Sequence, residues 1–396
     1  MAPTLTRILE VIFWLSAAVL AYVYVFYPLL LGLLARAFPQ NRETQNEEKL
    51  RPSVSLLISA YNEEEVIGAK LENSLKLDYP KELLEVLVVS DCSSDGTDEI
   101  VKKHSCERVK LVRLEERKGK TAGLNAAVPQ TRGEILVFSD ANAIYEQDAI
   151  QQLVRHFRNP QVGYVVGNAR YVQKLDENRA AAAEGLYWKV ETWLKKQESK
   201  FDSVVGGDGA IYAIRRELYQ TLLPTDINDF LNPLQIIYRG YRGIFEPAAV
   251  SYEATAESFD KEFRRKVRII SRSLNAVGRV PGVLNPFRRP RHWFLLVSHK
   301  ILRWFAPIFM ILAFALSCVL WSSPIYRALV LLQACFYVFA LIGWSLRKQE
   351  RLWRPFSLAF YFCLMNAASL VGCIKCFRRE LSGTWTPPRQ NVSGSA

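Results

Sequence analysis

Residues 134–145 read EILVFSDANAIY. An apolar run at 135–138 ends in two oxygen-bearing side chains, Asp140 and Asn142, which are one residue apart. Because residues i and i+2 of an extended chain point to the same side, these two side chains can direct their oxygens at one point. A divalent cation that also holds a phosphate would suit that point. The alternative is an Asx-rich turn at a strand end, which is common in α/β proteins.

Three earlier runs share this apolar, β-rich character, at 54–60, 85–90 and 109–114. The stretches 63–77 and 95–104 between them have a helical pattern. Strands that alternate with helices predict an α/β fold, doubly wound, with a parallel sheet covered on both faces. Such sheets bind ligands at the carboxyl ends of their strands. The sequence has neither the Gly-x-Gly-x-x-Gly turn nor the Walker lysine loop of two common nucleotide-binding classes.

The rest of the chain has a membrane character. The 396 residues are 50% hydrophobic yet carry a formal net charge of +12. Apolar runs at 8–36, 304–321, 325–346 and 355–377 are of membrane-spanning length, and the first is too long for a cleaved signal peptide. We therefore expect an N-terminal anchor (1–37), a linker (38–52), a soluble domain (53–258), amphipathic interface helices (259–303), three C-terminal transmembrane helices (304–377) and a tail (378–396).

The positive charges predict how the chain is oriented. Lys and Arg are concentrated in 261–303 and in the short loop 347–354, which predicts an inner or plasma membrane protein whose soluble domain faces the cytoplasm. If all three C-terminal segments cross the membrane, the tail at 378–396 lies outside the cell. Lys375, Arg378 and Arg379 argue against that placement, so a re-entrant last segment is the alternative. The basic excess is thus a membrane feature, and no nucleic-acid partner is expected.

Several polar groups in the soluble segment are candidates for binding. Lys118 and Lys120 lie on a glycine-containing loop before a helix, although a solvated basic turn is the alternative. The sequence GGDG at 206–209 suggests backbone that approaches a ligand closely. Asp226 and Asp229 precede an apolar helical run. An Asp at a helix start is first of all a cap, so one of the two is available as a base.

These stretches occur in a familiar order. YNEE at 61–64, SDCSSDGT at 90–97, KGKTAGLN at 118–125, SDAN at 139–142, GGDG at 206–209 and NDF at 228–230 resemble the family 2 glycosyltransferases. The resemblance is to the membrane-embedded branch that includes cellulose, chitin and hyaluronan synthases. It implies a GT-A-type domain that transfers a sugar from a nucleotide-sugar, expected to be UDP-linked, with inversion. An α-linked donor would then give a β product.

The resemblance also implies roles for individual residues. The residues implied to bind the nucleotide-sugar in this part of the chain are Ala60, Tyr61, Asn62, Glu63, Asp91, Lys120 and Asp140. Asp140 and Asn142 match the family's metal-binding Asp-x-Asp, with Mg²⁺ or Mn²⁺ as the expected cofactor. The acceptor loop corresponds to Gly206, Gly207 and Asp208. Asp229 corresponds to the general base, and Asp226 is the alternative.

The sequence departs from the family pattern in two places. Asn142 replaces an Asp and offers an oxygen without charge. The Gln-x-x-Arg-Trp motif of processive members becomes RKVRI at 265–269, where Arg265 and Arg268 are expected to bind pyrophosphate. A surface helix attracted to anionic lipid is the alternative for this segment.

Loss of the Trp at position 269 counts against polymerisation. We therefore expect one or a few sugars to be added to a lipid-linked or glycan acceptor. A processive polysaccharide synthase is the main alternative. A non-catalytic membrane scaffold is a third, which the presence of Asp91, Lys120, Asp140 and Asp229 disfavours.

Overall fold

The computed structural model describes residues 3–40, 51–172, 180–254, 259–347, 353–381 and 383. Most of the predicted linker, Lys348 and Arg351 of the basic loop, and nearly all of the tail after residue 381 lie outside these ranges.

The centre of the soluble domain is an eight-stranded sheet. Its strands are β1 Val54–Ala60, β2 Leu84–Ser90, β3 Val109–Arg113, β4 Ile135–Asp140, β5 Ile144–Tyr145, β6 Val162–Val172, β7 Tyr212–Arg215 and β8 Arg242–Ala254. They are ordered β3-β2-β1-β4-β7-β6-β8-β5. The first four are mutually parallel, as predicted, whereas β7 runs antiparallel to β4 and β6. The complete sheet is therefore mixed.

Helices cover both faces of this sheet and continue into the apolar segments. They are α1 Pro3–Ala37, α2 Glu64–Leu75, α3 Thr97–Lys103, α4 Lys120–Ala127, α5 Ala149–Val154, α6 Ala180–Phe201, α7 Asn228–Tyr238, α8 Phe259–Arg279, α9 Pro290–Val319, α10 Pro324–Ser345 and α11 Arg354–Phe377. Short 3₁₀ turns lie at Lys81–Leu83, Val128–Gln130, Arg155–Arg158, Arg216–Leu218 and Pro281–Leu284.

Strand β1 shows why the predicted strands are apolar at every position rather than at every second position. All seven of its residues are buried. Leu56 and Ile58 belong to the core on one face of the sheet, whereas Leu57 packs with Leu87 and Phe138 on the other. Each fully buried side chain of this size contributes about 1.5–3 kcal/mol. A strand buried on both faces therefore needs apolar residues at every position.

Within the described ranges, four helices are long and apolar enough to cross a membrane: α1, α9, α10 and α11. The predicted boundary at residue 304 falls inside α9, because the helix begins at Pro290 and runs without a break to Val319. Hydropathy detected only its apolar part. Helices α1 and α9 each contain a π-helical turn, at Tyr22–Phe26 and Leu296–Ile301. The two turns meet where Tyr22 Oη lies 2.8 Å from Ser298 Oγ.

Helix α11 begins beside α8 and α10. Phe360 packs on Phe259, the first residue of α8, and Phe356 packs on Phe339 of α10, each pair with ring centroids 5.0 Å apart. At the other end, Phe377 packs on Phe305 at 6.3 Å. A Cβ placed on Gly383 would lie 3.3 Å from the carbonyl oxygen of Pro224 in the soluble domain.

Candidate active site

A cavity of about 380 Å³ lies between the carboxyl ends of the sheet strands and helices α6, α8, α9 and α11. The sheet domain contributes Ser59, Lys120, Asp140 and Asp229, and the apolar helices contribute Trp304, Met365 and Ser369. The site is therefore built jointly by the sheet domain and the apolar helices.

The turn that follows β4 is stabilised by a buried lysine on α2. Asp140 and Asn142 both line the cavity, as predicted from their i, i+2 spacing. Lys70 on α2 is fully buried, donates a hydrogen bond to the carbonyl of Ala143, and lies 3.8 Å from the ring centre of Tyr145. Burial lowers the pKa of Lys70 to about 7. This lysine fixes the turn that presents the two candidate metal ligands.

Three functional groups converge beside Gly209. A Cβ at this position would lie 3.1 Å from Asp229 Oδ2, 3.4 Å from Lys120 Nζ and 3.6 Å from Asp140 Oδ2. Lys120 Nζ is also 2.5 Å from Asp140 Oδ1. Burial alone would lower the pKa of Lys120, but Asp140 and Asp229 raise it, so the lysine is charged at neutral pH. A residue larger than glycine at 209 would fill the space where these groups meet.

The GGDG loop packs directly against the start of α7. Gly206 has φ +83°, a conformation that favours glycine. The Gly207 amide donates to the Asp229 carbonyl at 2.5 Å. The Asp208 carboxylate forms an ion pair with Lys195 on α6 at 3.0 Å. All three predicted acceptor-loop residues line the cavity, and the loop positions Asp229 through its own backbone.

The two candidate bases have different environments. Asp229 Oδ1 is buried and makes no hydrogen bond to the described residues. Burial raises the pKa of Asp229; Lys120 opposes the rise, and Asp208 and Asp140 add to it. Asp226 is fully buried and accepts a hydrogen bond from the Leu223 amide at 2.7 Å.

The expectation that one Asp caps the helix is wrong. Helix α7 begins after Ile227, and no side chain caps it. Asp226 turns back to Leu223 instead and lies 3.8 Å from Arg279.

Helix α8 presents a row of arginines to the cavity. Arg265 and Arg268, both predicted, line it together with Arg272 one turn later. The Arg268 carbonyl accepts a hydrogen bond from the Ser271 hydroxyl at 3.1 Å, whereas its guanidinium makes no hydrogen bond or ion pair with the described residues. Burial and the neighbouring Arg265 lower its pKa. A guanidinium in this position gains by binding an anion. Sequence reasoning missed Arg272, although its i+4 spacing from Arg268 could have identified it.

Glu253 is a second residue that sequence reasoning missed. It lies near the end of β8, is buried and lines the cavity. Burial, followed by Asp140 and Asp208, raises its pKa to about 8, so it is largely protonated at neutral pH. Its position at a strand end is the same signal that identified Asp140.

Four predicted donor-binding residues lie outside the cavity lining. Ala60 is fully buried, and Tyr61 stacks under Arg117 at 3.9 Å. Asn62, with φ 52°, bonds to the 93–94 turn. Asp91 accepts hydrogen bonds from the amides of Lys118 and Gly119, at 2.8 and 2.9 Å. Asp91 therefore shapes the loop before Lys120, and its predicted contact with base or ribose stays a prediction.

The side chains that line the cavity supply only some of the oxygen ligands that a hard divalent cation needs. Asp140 and Asn142 offer two oxygens side by side, and Mg²⁺ commonly takes one or two carboxylates plus substrate phosphates. No group of three His, Cys, Asp or Glu side chains within the described residues is arranged to hold a metal ion. Lys118, by contrast, lies at the surface beside Glu116, so the solvated-turn alternative holds for that lysine.

Comparisons with known proteins agree with this architecture. Residues 55–223 match the model of glycosyl transferase family 2. The probable glycosyltransferase YdaM of Bacillus subtilis is 30% identical over 249 residues, covering 59% of this chain and 57% of the relative. The poly-β-1,6-N-acetyl-D-glucosamine synthase of Staphylococcus epidermidis is 30% identical over 41% of this chain and 37% of its own. The chain spans about half or less of these curated relatives.

A solved structure covers nearly the whole chain. The mannosyltransferase PcManGT from Pyrobaculum calidifontis, in complex with GDP-Man and Mn²⁺, has a TM-score of 0.73 at 22% identity. The match covers 94% of this chain and 99% of that one. It confirms the predicted GT-A-type α/β fold combined with apolar helices.

Proposed function

Since the chain carries a family 2 glycosyltransferase domain, we propose that it transfers a sugar from a UDP-sugar to a hydroxyl of a lipid-linked or glycan acceptor, with inversion. The observation that supports this most is the convergence of Asp229, Lys120 and Asp140 beside Gly209. In this proposal the three side chains serve as base, cation and metal ligand around one point. A metal-assisted inverting transfer can use one group to take the acceptor proton and the other two to hold the leaving diphosphate.

Each residue has a role in this proposal. Asp229 accepts the proton of the attacking hydroxyl. Lys120, Arg265 and Arg268 bind the diphosphate that departs. Asp140 and Asn142 would hold the divalent cation, which when bound offsets the negative charge that develops on the leaving group. Pairs of titratable groups whose surroundings shift their pKa values apart commonly carry out acid–base catalysis.

Similarity to the solved mannosyltransferase supports the proposal that this chain uses a divalent cation and a nucleotide-sugar. The solved mannosyltransferase contains Mn²⁺ and a nucleotide-sugar, and we propose a divalent cation here as well. We assign the uracil base to the turn 60–63, where the Tyr61 ring stacks with Arg117.

A nucleotide-sugar panel tests the reaction and its extent. The purified full chain in lipid is supplied with radiolabelled UDP- and GDP-sugars, and product size is read on a gel. We expect one UDP-sugar to give a short, β-linked product, since Ile269 replaces the stacking Trp of processive members. A long polymer would favour a synthase of the kind represented by the Staphylococcus relative, and no transfer from any donor would overturn the proposal.

We propose that α1, α9 and α10 cross the membrane, that α11 does not, and that the soluble domain faces the cytoplasm. The support is that α11 runs along α8, which follows the soluble domain in the chain, with Phe360 beside Phe259 and Gly372 beside Ile270, and that Gly383 lies beside Pro224 of the soluble domain. The positive charges at Lys375, Arg378 and Arg379 agree with that placement.

Reporter fusions distinguish the two topologies. Fused after Ala396, green fluorescent protein is expected to fluoresce, and alkaline phosphatase, which is active only outside, is expected to be inactive. Phosphatase inserted in the turn at 320–323 is the control and should be active. An active phosphatase at the C-terminus would show that α11 crosses the membrane.

A further inference from the structure

The cavity has a second end, which the proposed mechanism does not use. It extends from Asp140 and Asp229 to Trp304 on α9 and to Met365 and Ser369 on α11. Its wall on this side is α6, which contributes Tyr187, Trp188 and Glu191. We call this part of the cavity the membrane-side chamber.

The chamber is rich in positive charge. Lys300 and Arg303 of α9 both form ion pairs with the buried Glu191 carboxylate, Lys300 at 3.5 Å. Lys266 of α8 lies 4.8 and 4.9 Å from the ring centres of Tyr187 and Trp188. Its carboxylate neighbour is Glu262, at 3.6 Å. Arg265 also pairs with Glu262, at 3.2 Å. Four cations thus share two carboxylates, which leaves the chamber with positive charge.

A π-helical turn places these cations. The turn Leu296–Ile301 includes His299 and Lys300, and α9 continues to Arg303. His299 Nδ1 contacts Glu198, and the His299 ring stacks on Tyr27 at 6.1 Å. A π turn has poorer hydrogen-bond geometry than an α-helix and is found frequently at functional sites. Here it orients Lys300 and Arg303 toward the cavity.

The chamber is separated from an apolar surface by a single helix. On α6, Leu186, Val190 and Trp193 are exposed and share one face. A Cβ on Gly32 of α1 would lie 3.3 Å from the Trp193 ring, so this face is continuous with the first apolar helix. The opposite face of α6 lines the chamber. A ligand there lies within reach of lipid.

We propose that the membrane-side chamber binds the phosphate of a lipid acceptor, through Lys300, Arg303 and Lys266. This inference rests on the proposed function and specifies its acceptor class. Guanidinium and ammonium groups are the usual partners of phosphate oxygens. Trp188 and Tyr187 would contact the group that joins phosphate to the acceptor hydroxyl. In the proposed function the donor diphosphate lies toward Asp140 and is bound by Lys120, Arg265 and Arg268.

A matched lipid pair tests the proposal. Dioleoylphosphatidic acid and dioleoylglycerol differ only in the phosphate, and sn-glycerol 3-phosphate provides the headgroup without a lipid. Binding of each to the purified full chain in nanodiscs is measured by quenching of tryptophan fluorescence with brominated acyl chains, or by competition for the soluble headgroup. We expect phosphatidic acid to bind at least about tenfold more tightly than dioleoylglycerol, as one charge-assisted phosphate contact would give.

Three variants test whether the preference for phosphatidic acid arises in the membrane-side chamber. Lys300→Gln is expected to remove most of the preference, whereas Lys300→Arg retains it and shows that the site still folds. Lys189→Gln, an exposed lysine on α6 outside the chamber, is the matched control and should leave the preference unchanged. UDP binding should be unaffected in all three variants.

The possible outcomes separate this inference from the proposed function. Equal binding of the two lipids overturns it, as does an equal loss in Lys300→Gln and Lys189→Gln, which would indicate surface attraction. Tight binding of glycerol 3-phosphate without a lipid preference would show a phosphate site that is not a lipid site, and would overturn it too. A wild-type chain that prefers phosphatidic acid but transfers no sugar would contradict only the proposed function.

Discussion

Asp140→Ala is expected to abolish sugar transfer and to weaken cation-dependent binding of UDP. Asp140 is the charged member of the Asp140–Asn142 pair, and Asn142 alone offers one neutral oxygen. The substitution also removes the partner of Lys120, 2.5 Å away. The measurement is UDP affinity by calorimetry across a Mn²⁺ or Mg²⁺ titration, together with turnover by UDP release.

The control for this variant is Asn142→Asp. It adds a carboxylate where the family pattern has one and should be tolerated, with tighter cation binding. Near-normal turnover of Asp140→Ala in the presence of a divalent cation would refute the metal-site assignment.

Asp229→Asn should slow transfer at least ~100-fold while leaving UDP binding intact, since removal of a general base costs this much or more. An amide cannot take the acceptor proton. Asp229 lies beside Gly209, and in the variant its backbone carbonyl still accepts the hydrogen bond from the Gly207 amide. The loop should therefore keep its shape. Turnover and calorimetric binding on the same preparation separate chemistry from affinity.

The matched variant is Asp226→Asn, which changes the same chemical group three residues earlier. We expect a loss of stability on the order of 1 kcal/mol with near-normal turnover, since the amide oxygen can still accept from Leu223 while the attraction to Arg279 is lost. A dead but folded Asp226→Asn beside an active Asp229→Asn would exchange the two roles.

The pH dependence offers an independent check on the base. Because burial raises the pKa of Asp229, the acid limb of the rate profile should lie above the ordinary Asp range near ~3.9. Activity should fall as the pH drops through the raised pKa, since the protonated carboxyl cannot accept a proton. If the acid limb of the rate profile is unchanged in Asp229→Asn, it reports the titration of a group other than Asp229.

The parallel half of the sheet was predictable because its physical cause is local. Strands buried on both faces must be apolar throughout, and the polar residues that end them meet at one edge of the sheet. This is why Asp140 and Asn142 could be placed at the ligand-binding edge of the sheet, whereas Lys120 was placed beside them only by the family resemblance. The antiparallel strand β7 was not predictable in this way, since its pairing with β4 joins segments that are distant in the chain and carry no local signal.

The second half of the site depends on packing between distant segments. Glu191, Lys300 and Arg303 come from two helices more than one hundred positions apart and have no shared motif. The route of α11 along α8 was equally hidden, because hydropathy measures length and composition but not the neighbours of a helix. Gly372 packs beside Ile270, and Phe360 packs on Phe259 with ring centroids 5.0 Å apart.

The shared cavity wall has a practical consequence for dissecting the protein. A fragment cut to residues 53–258 would lack Arg265, Arg268 and Trp304, and would expose the apolar surface that Leu194, Phe201, Leu231 and Leu234 bury against the excised helices. Exposed patches of this kind cause aggregation. An excised domain would thus carry an open, incomplete pocket, and the complete cavity requires the apolar helices as well as the sheet domain.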